Sequence, residues 1–247
     1  MPPRYRAHTH GPEAQVLYIS ETHRIIGARF DDFESLCRDQ WLPAVAKDPG
    51  TRLLWYFNRA HGSSISFNVV TVTGAADFEA WARLQERVES GDMQELAHTA
   101  DQMRYGTSAA INRRLEWSRM PELDLAFVPA RAQEHDRTMY IEDTVHVSLD
   151  DLDAGEAAIR KAHRGLGDPG PGALTEFVAA FRPLPIAGRR SQVTLLQRVL
   201  DLGILAKYYT DGTPPPNPPW SAAHDATPFD DTWQTRVLRV APWSPLA

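Results

Sequence analysis

The chain has 247 residues, room for one large domain or two small fused ones. A net charge of −6 without a dense Lys/Arg run argues against nucleic acid as a partner, and Cys37 as the sole cysteine excludes an internal disulfide or a thiolate metal cluster. No apolar run can span a bilayer, and the polar first residues lack the apolar core of a secretion signal, so a flexible arm (1–14) on a cytoplasmic protein is expected.

In chain order, Gln15–Glu21 is β-branched and aromatic, a strand pattern. Asp31 or Asp32 is a candidate N-cap for a helix with Phe33, Leu36, Cys37, Trp41 and Val45 at helical spacing, which Pro43 should end or kink. Thr51–Arg59 and Ile65–Thr73 read as strands joined by a hairpin loop at Ala60–Ser64, where Gly62 supplies the unusual backbone angle. Asp77–Glu89 is an amphipathic helix, Gly91 breaks it, Met93–Arg104 resumes it, and Ala109–Trp117 is a strand. The order β-α-β-β-α-β is a ferredoxin-like unit over 15–118. After a charged, Pro-containing linker (119–137) the order returns over 138–247: strand Thr138–Val147, helix Leu152–His163, strands Leu174–Arg182 and Gln192–Val199, helix Asp201–Tyr209, strand Thr232–Val240. A Pro-rich loop (210–231) carrying Trp220 is long enough to be a lid or a spacer.

The chain repeats itself. Tyr18-Ile19-Ser20-Glu21-Thr22 returns as Tyr140-Ile141-Glu142-Asp143-Thr144, and Phe30-Asp31-Asp32-Phe33 as Leu149-Asp150-Asp151-Leu152. A repeat means two similar units, neither of which buries its open sheet face alone. The expected fold class is α+β: two βαββαβ units packed sheet to sheet as a pseudo-dimeric α/β barrel within one chain. With both halves present, a monomer or weak homodimer is expected.

The first-half motif, the helix ending Gln40-Trp41-Leu42-Pro43, the run Asp77-Phe78-Glu79-Ala80-Trp81-Ala82-Arg83-Leu84 and the tail Ala241-Pro242-Trp243-Ser244-Pro245-Leu246 resemble the dimeric α/β-barrel superfamily, in its NIPSNAP-like and EthD-like branch. That resemblance implies a pocket rather than a reaction. The superfamily hosts cofactor-free oxygenases, isomerases, decarboxylases and haem-dependent enzymes, and function must come from the site.

Glu21 and His23 lie two apart on the first strand, hence on one face. A carboxylate beside an imidazole suits proton transfer; an ion pair at a strand end would look the same. His146 with Glu142 or Asp143 is the weaker counterpart. Asn58, Asn68 and Asn112 interrupt strand patterns in which Asn is depleted. They could bind a carbonyl or hydroxyl of a substrate, or fix the sheet register. Tyr56 shares the face of Asn58, and Tyr18 could donate a phenol to the same space, while Trp55, Phe57 and Phe67 read as helix-facing core. His61 reads as an exposed turn residue. No tight ligand spacing suggests a metal, and Gly165–Gly172 lacks the strand-turn-helix setting of a phosphate loop. The resemblance offers His98 as an axial ligand, should the protein use haem. The function expected is a cofactor-independent isomerase, lyase or oxygenase acting on a small apolar secondary metabolite in a barrel pocket. Non-catalytic binding or assembly, and haem chemistry, are the alternatives.

Overall fold

A computed structural model describes residues 15–60, 67–147, 152–163, 173–184, 192–211 and 233–247. The first unit comprises β1 (Leu17–Ile25), α1 (Phe30–Leu36), α2 (Leu42–Val45), β2 (Thr51–Arg59), β3 (Asn68–Ala75), α3 (Phe78–Glu89), α4 (Gln94–Asp101) and β4 (Arg104–Arg114). The second comprises β5 (Met139–His146), α5 (Leu152–His163), β6 (Thr175–Pro183), β7 (Gln192–Val199), α6 (Leu202–Asp211) and β8 (Trp233–Val240). The expected strand order is present in both. The hairpin loop with His61, the stretch 164–172 and most of the Pro-rich loop with Trp220 lie outside the described residues.

The eight strands close into one antiparallel barrel in the order β1-β3-β2-β8-β5-β7-β6-β4. Each unit contributes four neighbouring strands. The seams are short: Phe57 to Arg59 of β2 pair with β8, and Asn112 to Arg114 of β4 pair with β6. Closure removes the open sheet face that either unit would expose alone. Matching bulges, between Leu53 and Trp55 in β2 and between Phe177 and Ala179 in β6, confirm the repeat at the level of backbone register.

Local details depart from the sequence reading in instructive ways. Arg29, not Asp31 or Asp32, is the N-cap of α1, and it makes no side-chain cap bond. Both aspartates fall inside the first turn, where the helix dipole favours them. Between α1 and α2 the helix widens into a π-turn over Cys37–Trp41, just before Pro43. A proline lacks the N–H the preceding turn needs, and the wider turn moves the mismatch into one place. Asp77 does cap α3, accepting from the Ala80 N–H at 2.7 Å. β4 starts at Arg104 rather than Ala109, so α4 is shorter than its pattern suggests. Phe67 has a positive φ of 59° and is 51% exposed, packing on Phe30 instead of entering the core.

The linker is structural. Met120, Leu123, Leu125 and Val128 are buried and pack with Tyr18, Leu54 and Val16 at one end of the barrel. Gly74 permits this: a Cβ there would stand 2.9 Å from the Leu125 Cδ2. The segments that follow the last strand of each unit also match. Leu115 and Met120 N–H groups donate to the Ala180 and Val178 carbonyls, as Ala241 and Leu246 donate to Tyr56 and Leu54. Ser118 Oγ accepts from the Ala180 N–H and Ser244 Oγ from the Tyr56 N–H. Trp117 stacks on Phe177 and Trp243 packs on Tyr56. Each unit therefore sends a Trp-Ser tail onto the sheet of the other.

Candidate functional site

Strand alternation sorts the chemistry-bearing residues onto two faces of the first sheet. On β1, Tyr18, Ser20 and Thr22 point into the barrel. Glu21 and His23 alternate with them and lie on the helix-covered face, where His23 meets Phe33 of α1 at 5.2 Å between ring centroids. Asn112 stands opposite Tyr18 and lines the barrel cavity. Asn68 stands opposite Arg24 on the same strand face as Val70 and Val72, which also face inward. Tyr56 packs with the helix-side core, and Asn58 follows it two residues on. The predicted substrate set Tyr18, Tyr56, Asn58, Asn68 and Asn112 thus divides: Tyr56 and Asn58 join Glu21 and His23, and the other three face the barrel. Trp55 and Phe57, expected against the helices, line the barrel cavity instead. Both faces of this sheet are buried, so hydrophobicity along β2 could not reveal its polarity.

The helix-side group is built around a chain of hydrogen bonds. Arg104 Nη1 donates to His23 Nδ1 at 2.7 Å, and Thr107 Oγ1 lies 3.2 Å from the same nitrogen. A guanidinium has no acceptor, so Nδ1 must be bare and Nε2 must carry the proton. Nε2 then donates to Thr71 Oγ1 at 2.9 Å. The Thr71 hydroxyl in turn bonds the Glu21 carboxylate. Burial, and then the Arg104 charge, hold His23 well below its ordinary value, at about 3. The imidazole is neutral at physiological pH with both nitrogens engaged. Through that bond it orients the Thr71 hydroxyl.

Glu21 stands at the end of this chain. Burial raises its pKa, against the lowering effects of Arg104 and the Thr71 hydrogen bond. The residue as a whole is half-buried. Around it, Cys37 is buried and its thiol is pushed up by desolvation and by the nearby Glu21 charge. Tyr56 is raised by burial and by Cys37 and Glu34. Glu34 is a pin: its Oε1 accepts from Trp243 Nε1 at 2.9 Å and its Oε2 from Asn58 Nδ2 at 3.2 Å. Among the described residues, two buried polar atoms here have no partner, the Tyr56 hydroxyl and Asn58 Oδ1. A buried donor and acceptor without partners cost stability unless a ligand or water meets them. Trp243, brought by the second unit's tail, completes this side of the first unit.

The barrel cavity on the opposite face has a volume of about 590 Å³. Tyr18, Trp55, Phe57 and Phe181 form its buried depth. Arg59, Glu142, His146 and Arg236 are nearer its mouth, where Arg236 pairs with Glu142 at 2.6 Å. His146 and Glu142 therefore face this cavity, while Asp143 faces the other way. His98 is exposed on α4 and does not line the barrel cavity. Among the described residues no cluster of three or more His, Cys, Asp or Glu side chains could hold a metal ion, and no helix is long and apolar enough to cross a membrane.

No family model matches the sequence, and no curated protein matches it. Solved structures do. The fold is the dimeric α/β barrel. A candidate monooxygenase from Lactobacillus acidophilus superposes with a TM-score of 0.57 at 8% identity, covering 93% of this chain and 97% of its own. An anthrone oxidase-like protein gives 0.59 at 8% identity, covering 93% and 92%. A NIPSNAP family protein from Agrobacterium tumefaciens is 18% identical over 39% of this chain and 90% of its own, with a TM-score of 0.34. At these identities the likeness is one of fold.

Proposed function

We propose that the protein is a cofactor-independent enzyme whose first unit carries out proton transfer on a small, largely apolar substrate. The observation that carries this reading is Glu21: a carboxylate on the helix-covered face, raised by burial and fixed by the Arg104–His23–Thr71 chain. A base works best with a pKa near the operating pH, and burial moves a glutamate in that direction. The C–H proton next to a substrate carbonyl passes to the Glu21 carboxylate. The electron pair of that bond moves onto the carbonyl oxygen, which the unpartnered Tyr56 hydroxyl is suited to receive as a hydrogen-bond donor. Return of the proton at another carbon gives an isomerase, departure of a leaving group a lyase, and attack of the carbanion on dioxygen an oxygenase. Phe33, Leu53, Val69 and Trp243 supply the apolar walls.

The names of two similar structures, a candidate monooxygenase and an anthrone oxidase-like protein, favour a flat polycyclic ketone as first probe. Anthrone in deuterated buffer without oxygen should exchange its acidic methylene protons faster with the protein than without it. Mass spectrometry reads the exchange. Glu21→Gln should lose the acceleration while keeping the fold. Equal exchange by wild type and Glu21→Gln would overturn the assignment of the base.

A further inference from the structure

We propose that Arg104 is a positioning residue that regulates Glu21 through His23: it locks one imidazole tautomer, and the tautomer fixes which way the Thr71 hydroxyl points. The consequence for turnover rests on Glu21 being the base; the relay itself does not. Strand register brings the groups together. Thr71 stands directly opposite Glu21 in the β1–β3 pairing, and Thr107 directly opposite His23 in the β1–β4 pairing. His23 and Thr71 are both buried, so neither can trade its partner for bulk water. Arg104 opens β4, three residues after Asp101 at the end of α4. Asp101 Oδ1 accepts from Arg104 Nε at 2.9 Å and from Nη2 at 2.6 Å. Held at two nitrogens, the guanidinium turns Nη1 toward His23 Nδ1, 2.7 Å away.

A hydroxyl has one proton to give, and a neutral imidazole carries its proton on one nitrogen or the other. The same heavy atoms therefore allow two arrangements. In the first, Nδ1 accepts from Arg104, Nε2–H donates to Thr71 Oγ1, and the Thr71 proton goes to Glu21. In the second, Nδ1–H donates to Thr107 Oγ1, 3.2 Å away, and Nε2 accepts the Thr71 proton, which is withdrawn from Glu21. Arg104 decides between them. A guanidinium only donates, so the second arrangement sets two N–H groups against each other at 2.7 Å. Without Arg104 that conflict is gone and Thr107 can take the Nδ1 proton. The difference is felt at the carboxylate, because a hydrogen bond donated to it favours its charged form. Burial raises Glu21, and the Arg104 charge and the Thr71 hydrogen bond oppose it. The charged and titratable groups around Glu21 are Arg104, His23 and, from the helical side, Cys37 with Glu34 beyond it.

The test is NMR of the full chain carrying ¹⁵N-labelled histidine and ¹³C-labelled glutamate carboxyl groups, with His23 and Glu21 assigned by His23→Asn and Glu21→Gln. At about pH 7 the wild-type His23 ring should show a bare Nδ1 and a protonated Nε2. A protonated Nδ1 would overturn the proposal without any variant. Arg104→Met should bring up the Nδ1–H form, and Arg104→Lys, which keeps a cationic donor, should suppress it again. Thr71→Val should move the Glu21 titration up by about one pH unit, as for loss of one hydrogen bond to a carboxylate, and Thr71→Ser should leave it in place. In the Arg104→Met background the same Thr71→Val change should shift it by about half of that or less, because the hydroxyl already points away. An equal shift in both backgrounds would show that Arg104 acts through its charge alone, and the relay would be overturned. None of these readouts uses a substrate. Failure of Glu21 as the base, read by hydrogen exchange in Glu21→Gln, is therefore distinct from failure of the relay.

Discussion

The two units share a backbone plan but treat the same carboxylate position in opposite ways. Glu21 of β1 and Asp143 of β5 are equivalent, each two residues before a helix-facing position. Asp143 is fully buried; its Oδ2 accepts from Gln197 Nε2 at 2.8 Å and its Oδ1 from the Thr235 hydroxyl. At the places of Gln197 and Thr235 the first unit has Thr73 and Ala109. At the places of His23 and Thr71 the second unit has Val145 and Leu195. The two side chains that bond Asp143 are thus replaced in the first unit by the Arg104–His23–Thr71 chain beside Glu21. Duplication gives one unit whose acid is bonded by two neighbouring strands and another whose acid we propose as the base.

The sharpest way to break this comparison is to change the acid in each unit. Glu21→Gln should lower turnover by roughly 10²–10⁴-fold, the usual worth of a positioned base, with little change in melting temperature. Asp143→Ala should do the reverse. It strands two donors around a buried position and should cost about 3–5 kcal/mol, visible in denaturant unfolding, with kcat preserved in the folded fraction. If Asp143→Ala removed activity and Glu21→Gln did not, the roles of the units would be exchanged.

The two Trp-Ser tails give the next test. Trp243 is 2% exposed and holds Glu34 in the first unit, whereas its counterpart Trp117 is half-buried with a longer 3.4 Å bond to Glu156. Trp243→Ala should cost about 3–5 kcal/mol and raise KM, because it removes the partner of Glu34 and the ring packed on Tyr56. Trp117→Ala should cost less and leave KM unchanged. Equal effects on KM would show that the first unit's site does not depend on its borrowed tryptophan.

A further test concerns pH. His23 has a folded pKa of about 3 against an ordinary 6.5, so the unfolded chain takes up the proton first. Its contribution to stability is complete above pH 6.5 and is lost as pH falls from there toward 3. A His23→Asn variant should show a shallower loss of stability across that window, measured by urea unfolding. Glu21 runs in the other direction. Its raised pKa should place the acid limb of kcat/KM above 4.5, its ordinary value, with activity rising as the carboxylate ionises. An acid limb below that value would point to a different base.

Much of the architecture was legible in the chain. The boundaries of β2, β7 and α5 follow directly from strand and helix patterns in Thr51–Arg59, Gln192–Val199 and Leu152–His163. The repeat of Tyr18-Ile19 as Tyr140-Ile141 implied a fused barrel. The pairing of Glu21 with His23 on one face also followed from a period of two. The role of His23 did not, because Arg104 and Thr71 come from other strands, 81 and 48 residues away. The signal that could have suggested the swapped tails was the recurrence of Trp117-Ser118 as Trp243-Ser244.

The sequence by itself determined which residues form strands, how they repeat and which neighbours share a face. Only the tertiary structure decided what each face meets. In β2 both Trp55 and Tyr56 are fully buried, one in the barrel and one beneath the helices, and the bulge at Leu54 puts Leu54 and Trp55 on the same side. A strand buried on both sides carries no polar face to announce its direction. Whether Tyr18, Asn112 and Asn58 served one pocket or two was therefore settled by barrel closure, which sets sheet against sheet on one side and sheet against helix on the other.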